Sequence, residues 1–246
     1  MKIMMGCNLL THQNSVAYTN HIHLWYHIGK WAEREGHTIG FNMPRRMSID
    51  NMRNQTAKFA LQGNFDYLFF YDDDVVLPLD SFDRLLKTSV EEKADIVAGL
   101  TYVRGYPFES MAFYRNDGGA YHISHEDIEN SETDRIECDA IGFSCALIST
   151  QVLKKMVPPY FITGPNFTED VYFCFKAKDN FPDMKIILDR SVKTDHIVGD
   201  YTINHDNVAI VKKFEEELYG ASKKTGDYPP EAIESAISGF RSEDNS

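Results

Sequence analysis

The stretch that most constrains this chain runs from Asp66 to Asp83 and reads DYLFFYDDDVVLPLDSFD. Tyr67, Leu68, Phe69, Phe70 and Tyr71 leave no polar face, the pattern of a central strand buried on both sides. The run ends in three carboxylates, Asp72, Asp73 and Asp74. Beyond them Pro78 breaks the extended segment, and Asp80 with Asp83 reads as the capped start of a helix. A buried strand that stops here sets its carboxylates at the carboxyl edge of a sheet, where open α/β sheets bind ligands. Adjacent like charges repel, so they need a positive partner, and a hard divalent cation suits three carboxylates. Alternation along a strand would put Asp72 and Asp74 on one side and Asp73 on the other, making Asp-x-Asp the working unit. Aspartate runs also occur at solvated turns, but the buried run before this one argues against that reading.

The segments around it fall into an alternating order. Lys2–Asn8 reads as a strand, THQNSVAYTN as a loop, and residues 20–35 as a helix stopped by Gly36. A strand over 37–42, a helix over 50–62, the acidic strand, a helix to about Val90 and a strand over 94–100 complete a β-α-β-α-β-α-β rhythm. That rhythm predicts a parallel sheet with crossover helices. From Tyr102 it changes: residues 110–114 and 120–123, separated by Asn-Asp-Gly-Gly, predict a hairpin, and SHEDIENSETDRIE reads as a polar surface loop. Further on, 140–149 reads as one strand, 152–156 and 168–178 as helices, 184–188 as a strand and 206–219 as an amphipathic helix. A last weak helix and a frayed tail are expected after Pro230.

Length and composition set the outer bounds. The 246 residues, 43% of them hydrophobic, suffice for one α/β domain, expected over 1–200, with a helical extension over 201–246. The net charge of −12 argues against a broad basic face for nucleic acid. No run reaches membrane-spanning length and the N-terminal apolar run is short for a signal peptide. The four cysteines lack Cys-x-x-Cys spacing and read as buried thiols, so a cytoplasmic location is expected.

Two more groups carry candidate chemistry. Thr168-Glu169-Asp170 opens a helix, where acids suit the helix dipole in any case, but an aspartate near a sheet edge can also act as a general base. His196 follows the last core strand and is either structural or a metal ligand. His23 and His27 lie one helical turn apart with His21 nearby; no metalloprotease glutamate follows His23, and Trp25 and Tyr26 point to packing instead.

Taken in order, MRNQTA (52–57), YLFFYDDDVVLP (67–78), ADIVAGLTYVR (94–104), AIGFSCALIS (140–149), TEDVYFCFKAK (168–178) and DHIVGD (195–200) resemble a nucleotide-sugar glycosyltransferase of the GT-A fold. More narrowly, the chain looks like small family-two-type enzymes of bacteria and phages. The resemblance implies a Rossmann-like α/β fold with a mixed, mostly parallel central sheet flanked by helices. It implies Mn²⁺ or Mg²⁺ bound by Asp74 and His196, with Asp72 at the ribose or the metal shell, and an imidazole ligand leans towards manganese. It places Arg53, Asn54, Asp72 and Asp73 at the donor, Asp170 as the base that activates an acceptor hydroxyl with inversion, and Glu169 beside the acceptor. The donor would be a nucleotide sugar such as a UDP-sugar. The acceptor would be a glycan precursor or a hydroxymethylated DNA base, the second weakened by the acidic balance.

Other classes draw on the same residues. Asp72-Asp73-Asp74-Val75 also fits the start of haloacid-dehalogenase-like phosphatases, with Asp72 as nucleophile and Asp74 as acid/base. Those enzymes carry the motif on their first strand, whereas two strand candidates precede it here. A nucleotidyltransferase would want a glycine-rich basic loop after the first strand, which CNLLTHQ is not. A metal-dependent carbohydrate-binding module is the non-enzymatic reading, and the alternation of strands and helices speaks against it.

Overall fold

A computed structural model describes residues 1–9, 14–116, 119–165, 167–199 and 201–219. The first half holds β1 (Lys2–Asn8), α1 (Ser15–Glu35), β2 (Thr38–Asn42), α2 (Ile49–Gln62), β3 (Tyr67–Asp72), β4 (Val75–Val76), α3 (Ser81–Glu92) and β5 (Ile96–Leu100). The middle holds β6 (Ala112–Asn116), β7 (Gly119–His122), α4 (His125–Glu129), β8 (Arg135–Cys138), β9 (Ala140–Ile141), β10 (Cys145–Ser149) and α5 (Thr150–Lys155). The last part holds α6 (Glu169–Asn180), β11 (Ile186–Lys193), β12 (Asp195–Val198), β13 (Tyr201–Ile203) and α7 (Val208–Tyr219).

Seven strands form one mixed sheet in the order β2-β1-β3-β10-β5-β11-β8. β1, β2 and β3 run parallel, as do β5 and β11, while β10 lies antiparallel between β3 and β5. β3 shows why its sequence lacks alternation. Leu68 and Phe70 enter one core with Ala57 and Ala60 of α2 and Phe173 of α6. Phe69 and Tyr71 enter the other with Leu24 and Ile28 of α1 and Phe82 and Leu85 of α3. Helices on both faces demand apolar side chains on both, and the strand supplies them.

Helix α1 begins at Ser15, earlier than the polar composition of THQNSVAYTN suggests, because Asn14 caps it by accepting from the Val16 N–H at 2.7 Å. It ends at Gly36, whose φ of 66° is a left-handed conformation that glycine adopts without strain. Ala17, His21, Leu24, Ile28 and Ala32 make its buried stripe.

Two other expectations are corrected. SHEDIENSETDRIE is not a plain loop: Ser124 caps α4 by accepting from the Asp127 N–H, and residues 135–138 pair with β11 as an edge strand. AIGFSCALIS is two strands, not one. Gly142 breaks it, because a Cβ there would come within 2.9 Å of Met111 Cβ. The first piece joins the β6–β7 hairpin and the second enters the main sheet. β12 and β13 pair antiparallel, and Val208 and Val211 of α7 enter the core. The weak helix and tail expected after Pro230 lie outside the described residues. All four cysteines are buried and unpaired with one another. No helix among the described residues is long and apolar enough to cross a membrane.

Candidate active site

The acidic triplet is a turn, not the end of a straight strand. β3 stops at Asp72, Asp73 and Asp74 turn, and β4 runs back out. Helix α1 holds the far side of this turn. The Asn20 side chain donates to the Leu77 carbonyl at 2.8 Å and accepts from the Leu77 N–H at 2.9 Å, while His21 Nε2–H donates to the Val75 carbonyl at 2.9 Å. Burial lowers the His21 pKa to about 4, so this imidazole is a neutral core donor. His27 pairs with Asp83 at 2.9 Å. His21 is therefore tied to the turn and His27 to α3, while His23 is exposed.

Antiparallel pairing of β4 with β12 sets Val75 opposite His196, which carries the histidine to the acidic turn. His196 is 7% exposed, and its Nδ1–H donates to the Tyr102 carbonyl at 2.8 Å. That bond orients the ring and turns Nε2 towards Asp74 Oδ1, 3.6 Å away. Asp74 Oδ2 accepts from Arg104 Nη1 at 2.7 Å. Burial pushes the Asp74 carboxyl up, but His196 and Arg104 outweigh it and hold the group below the usual carboxylate range.

Asp72 belongs to a second network. Arg53, on α2 and 2% exposed, donates from Nη2 to Asp72 Oδ1 at 3.2 Å, and its Nε lies 3.0 Å from Glu169 Oε1. The second approach is an ion-pair distance without hydrogen-bond alignment, and Nη1 of Arg53 has no hydrogen-bond partner. The guanidinium also lies against Phe70 and Phe143, at 5.2 and 5.4 Å from the ring centres. Burial pulls its pKa down, yet Asp72, Glu169 and Asp170 outweigh burial and hold it up. Burial raises Asp72 to about 6 against the opposing pull of Arg53, and raises Glu169 to about 7 in the same way. Two arginines thus offset much of the triplet's charge, which the chain alone was expected to leave to a cation.

Asp170 is 5% exposed at the first turn of α6. Its Oδ1 accepts from the Thr168 hydroxyl and from the Val171 N–H, and its Oδ2 accepts from the Phe143 N–H at a long 3.3 Å. It lines a cleft of about 850 Å³ walled by Val103, Met111, Phe113, Phe167 and Tyr172, the last two stacked at 5.6 Å. Asp170 relates this cleft to the acidic turn, because its charge is felt at Asp72.

Asn54, which the resemblance sets at the donor, bonds to the backbone of a neighbouring segment. Its Nδ2 donates to the Phe161 carbonyl at 2.7 Å and its Oδ1 accepts from the N–H groups of Tyr160 and Phe161, so its amide clamps the 160–161 backbone. Asp73 is mostly buried in the turn. Two participants were not foreseen. Arg104 ends the quoted piece ADIVAGLTYVR but was given no role, and it gains one beside Asp74. Asn8 ends β1 opposite Asp72 in register, is 2% exposed, and its amide meets no hydrogen-bond partner among the described residues. Leaving both amide functions of a buried asparagine unmatched is costly, and a polar ligand at this edge would offset it.

As a metal centre, the edge offers one carboxylate oxygen and one imidazole nitrogen, a donor pair that suits Mn²⁺. Asp72 does not converge with them: among the described residues, the three-ligand group that draws together is His125, Glu129 and His205.

No family model matches the chain, and no curated protein matches it. Among solved structures, A197 from STIV is similar over 84% of this chain and 91% of its own, at 19% identity and a TM-score of 0.57. That likeness shows a shared fold. GalNAc-T7, crystallised with UDP, GalNAc and Mn²⁺, aligns over 98% of this chain and 54% of its own, at 10% identity and a TM-score of 0.45.

Proposed function

We propose that the chain is a metal-dependent, inverting glycosyltransferase that moves a sugar from a nucleotide-sugar donor to an acceptor hydroxyl. The observation that carries this reading is the approach of His196 Nε2 to Asp74 Oδ1 at the sheet edge, beside a large aromatic cleft lined by Asp170. A divalent ion held by Asp74 and His196, Mn²⁺ before Mg²⁺, would supply Lewis-acid neutralisation of a diphosphate leaving group. The chain's own groups do the rest. Arg104 and the unpartnered Nη1 of Arg53 offer positive charge for phosphate oxygens, and Asn8 offers an amide to the donor's polar edge. Asp72, held by Arg53, faces the ribose, with Asp73 at the base of the same turn. Asp170 takes the proton from the acceptor hydroxyl as its oxygen attacks the anomeric carbon. The bond from that carbon to the diphosphate breaks, and the nucleoside diphosphate departs with the electron pair. Glu169 keeps Arg53 in place and, with it, Asp72. A glycan precursor fits the aromatic cleft, since sugar rings present apolar faces to aromatic side chains. The phosphatase reading needs Asp72 as a free nucleophile, whereas Asp72 accepts from a buried arginine.

A panel of nucleotide sugars with Mn²⁺, scored for donor hydrolysis and thermal stabilisation, tests the proposal. A donor should bind only with the ion, and Asp74→Ala should abolish that binding. Asp170→Asn should keep donor affinity and lower turnover by about 10²–10⁴-fold, the contribution of a general base. Tight donor binding in excess EDTA, or a product with the donor's anomeric configuration retained, would overturn the reading.

A further inference from the structure

A second group of ligating side chains lies away from the acidic turn. His125 and Glu129 sit one helical turn apart on α4, and His205 reaches them from the segment between β13 and α7. One ligand atom from each lies within 4.8 Å of the other two. His205 Nε2 is 3.3 Å from Glu129 Oε1. Zinc bonds of about 2.0–2.2 Å in tetrahedral geometry separate their ligands by roughly this length.

The other nitrogens are ordered by one hydroxyl. Tyr102 Oη lies 2.8 Å from His125 Nδ1 and 3.5 Å from His205 Nδ1, and the two imidazole rings are 5.4 Å apart. Imidazoles that bind metals characteristically hold a hydrogen-bond partner on the non-ligating nitrogen, which fixes ring and tautomer. Tyr102, itself buried, offers that partner to both rings, and His205 presents Nε2 to Glu129.

We propose that His125, Glu129 and His205 form a zinc site distinct from the ion site at Asp74 and His196, with water in the fourth position. Two imidazoles and a carboxylate suit zinc and disfavour magnesium and calcium, which prefer oxygen ligands. The site has structural work to do. Helix α4 is five residues long, too short to be stable by itself, and the zinc would staple it to the segment that leads into α7. Tyr102 then links the two centres, because its hydroxyl orders the zinc ligands while its carbonyl fixes His196.

The test uses the full chain stripped with chelator and titrated with Zn²⁺ alone in the Asp74→Ala background, which removes the other candidate ion site. One equivalent of zinc should bind and raise the melting temperature, and Co²⁺ in its place should give the absorption of a tetrahedral centre. Glu129→Gln alters a half-exposed side chain and His205→Asn a polar one. Each should weaken zinc binding by at least about tenfold, and Tyr102→Phe by about 10–100-fold, with circular dichroism unchanged. No zinc uptake in the Asp74→Ala background, or uptake that survives both Glu129→Gln and His205→Asn, would overturn the proposal. Donor binding is read separately, so either site can fail without the other.

Discussion

Arg53 shows at the scale of one residue how the acidic edge is balanced. It is buried, it meets Asp72 and Glu169, and it lies against two aromatic rings. Removing one partner from a buried charge network is costly because the others remain desolvated and unpaired. Arg53→Met should therefore destabilise the chain by about 3–5 kcal/mol at neutral pH, read by urea denaturation. The pH dependence has a definite sign. Asp72 and Glu169 have folded pKa values raised to about 6 and about 7, so between their unfolded values and these the folded chain holds more protons than the unfolded one. Their contribution to stability is present at low pH and falls as pH rises through that window. Without Arg53 both acids lose the charge that limits their rise, so the cost of Arg53→Met should shrink towards pH 5 and grow towards pH 8. A cost that is flat with pH would show that the three groups are not coupled.

Among the elements, the strands of the main sheet are held by close backbone contact. Gly99 of β5 lies where β11 shifts register between Asp189 and Lys193, and a Cβ there would come within 2.7 Å of the Val192 carbonyl oxygen. Backbone cannot swing aside as a side-chain tip can, so Gly99→Ala should destabilise by about 1–3 kcal/mol, seen as a lower melting temperature. Gly29, with open space around it, is the control, and Gly29→Ala should be neutral or stabilising. Elements with one strong local signal could be read from the chain: β3 from its unbroken apolar run, α1 from its stripe and its glycine stop. Elements defined by a partner far away could not. Residues 135–138 alternate Arg-Ile-Glu-Cys at the end of a polar, acidic stretch, too short a signal to stand out, and they pair along the edge of β11 with Ile136 and Cys138 turned into the core. The break at Gly142 depends on Met111. The site divides along the same line. Asp72, Asp74, Glu169, Asp170 and His196 stood out by type and context, but the assignment of Arg53 to Asp72 and Glu169, and of Arg104 to Asp74, needed the folded distances. His125, Glu129 and His205 were hidden inside stretches that looked like ordinary polar surface.

For the whole molecule, the place of β10 in the sheet has a consequence for how the chain comes to be folded. Within the seven-stranded sheet β10 is the link between β2-β1-β3 on one side and β5-β11-β8 on the other. Its residues, Cys145–Ser149, emerge from the ribosome well after those of the strands it joins, β3 and β5. A growing chain that ends before residue 145 holds β1, β2 and β3 with the edge of β3 open, while β5 still lacks both its neighbours, β10 and β11, the kind of surface that mispairs and aggregates. The central pairing spans some seventy residues of intervening chain, which makes it slow to form. Synthesis should therefore yield a late, abrupt gain of protease resistance rather than a stepwise one. Chains stalled on the ribosome with residue 140 just exposed should be cut readily, and those stalled with β11 exposed should resist. Stable fragments from the shorter chains would mean that β1, β2 and β3 close a unit of their own before the bridging strand arrives.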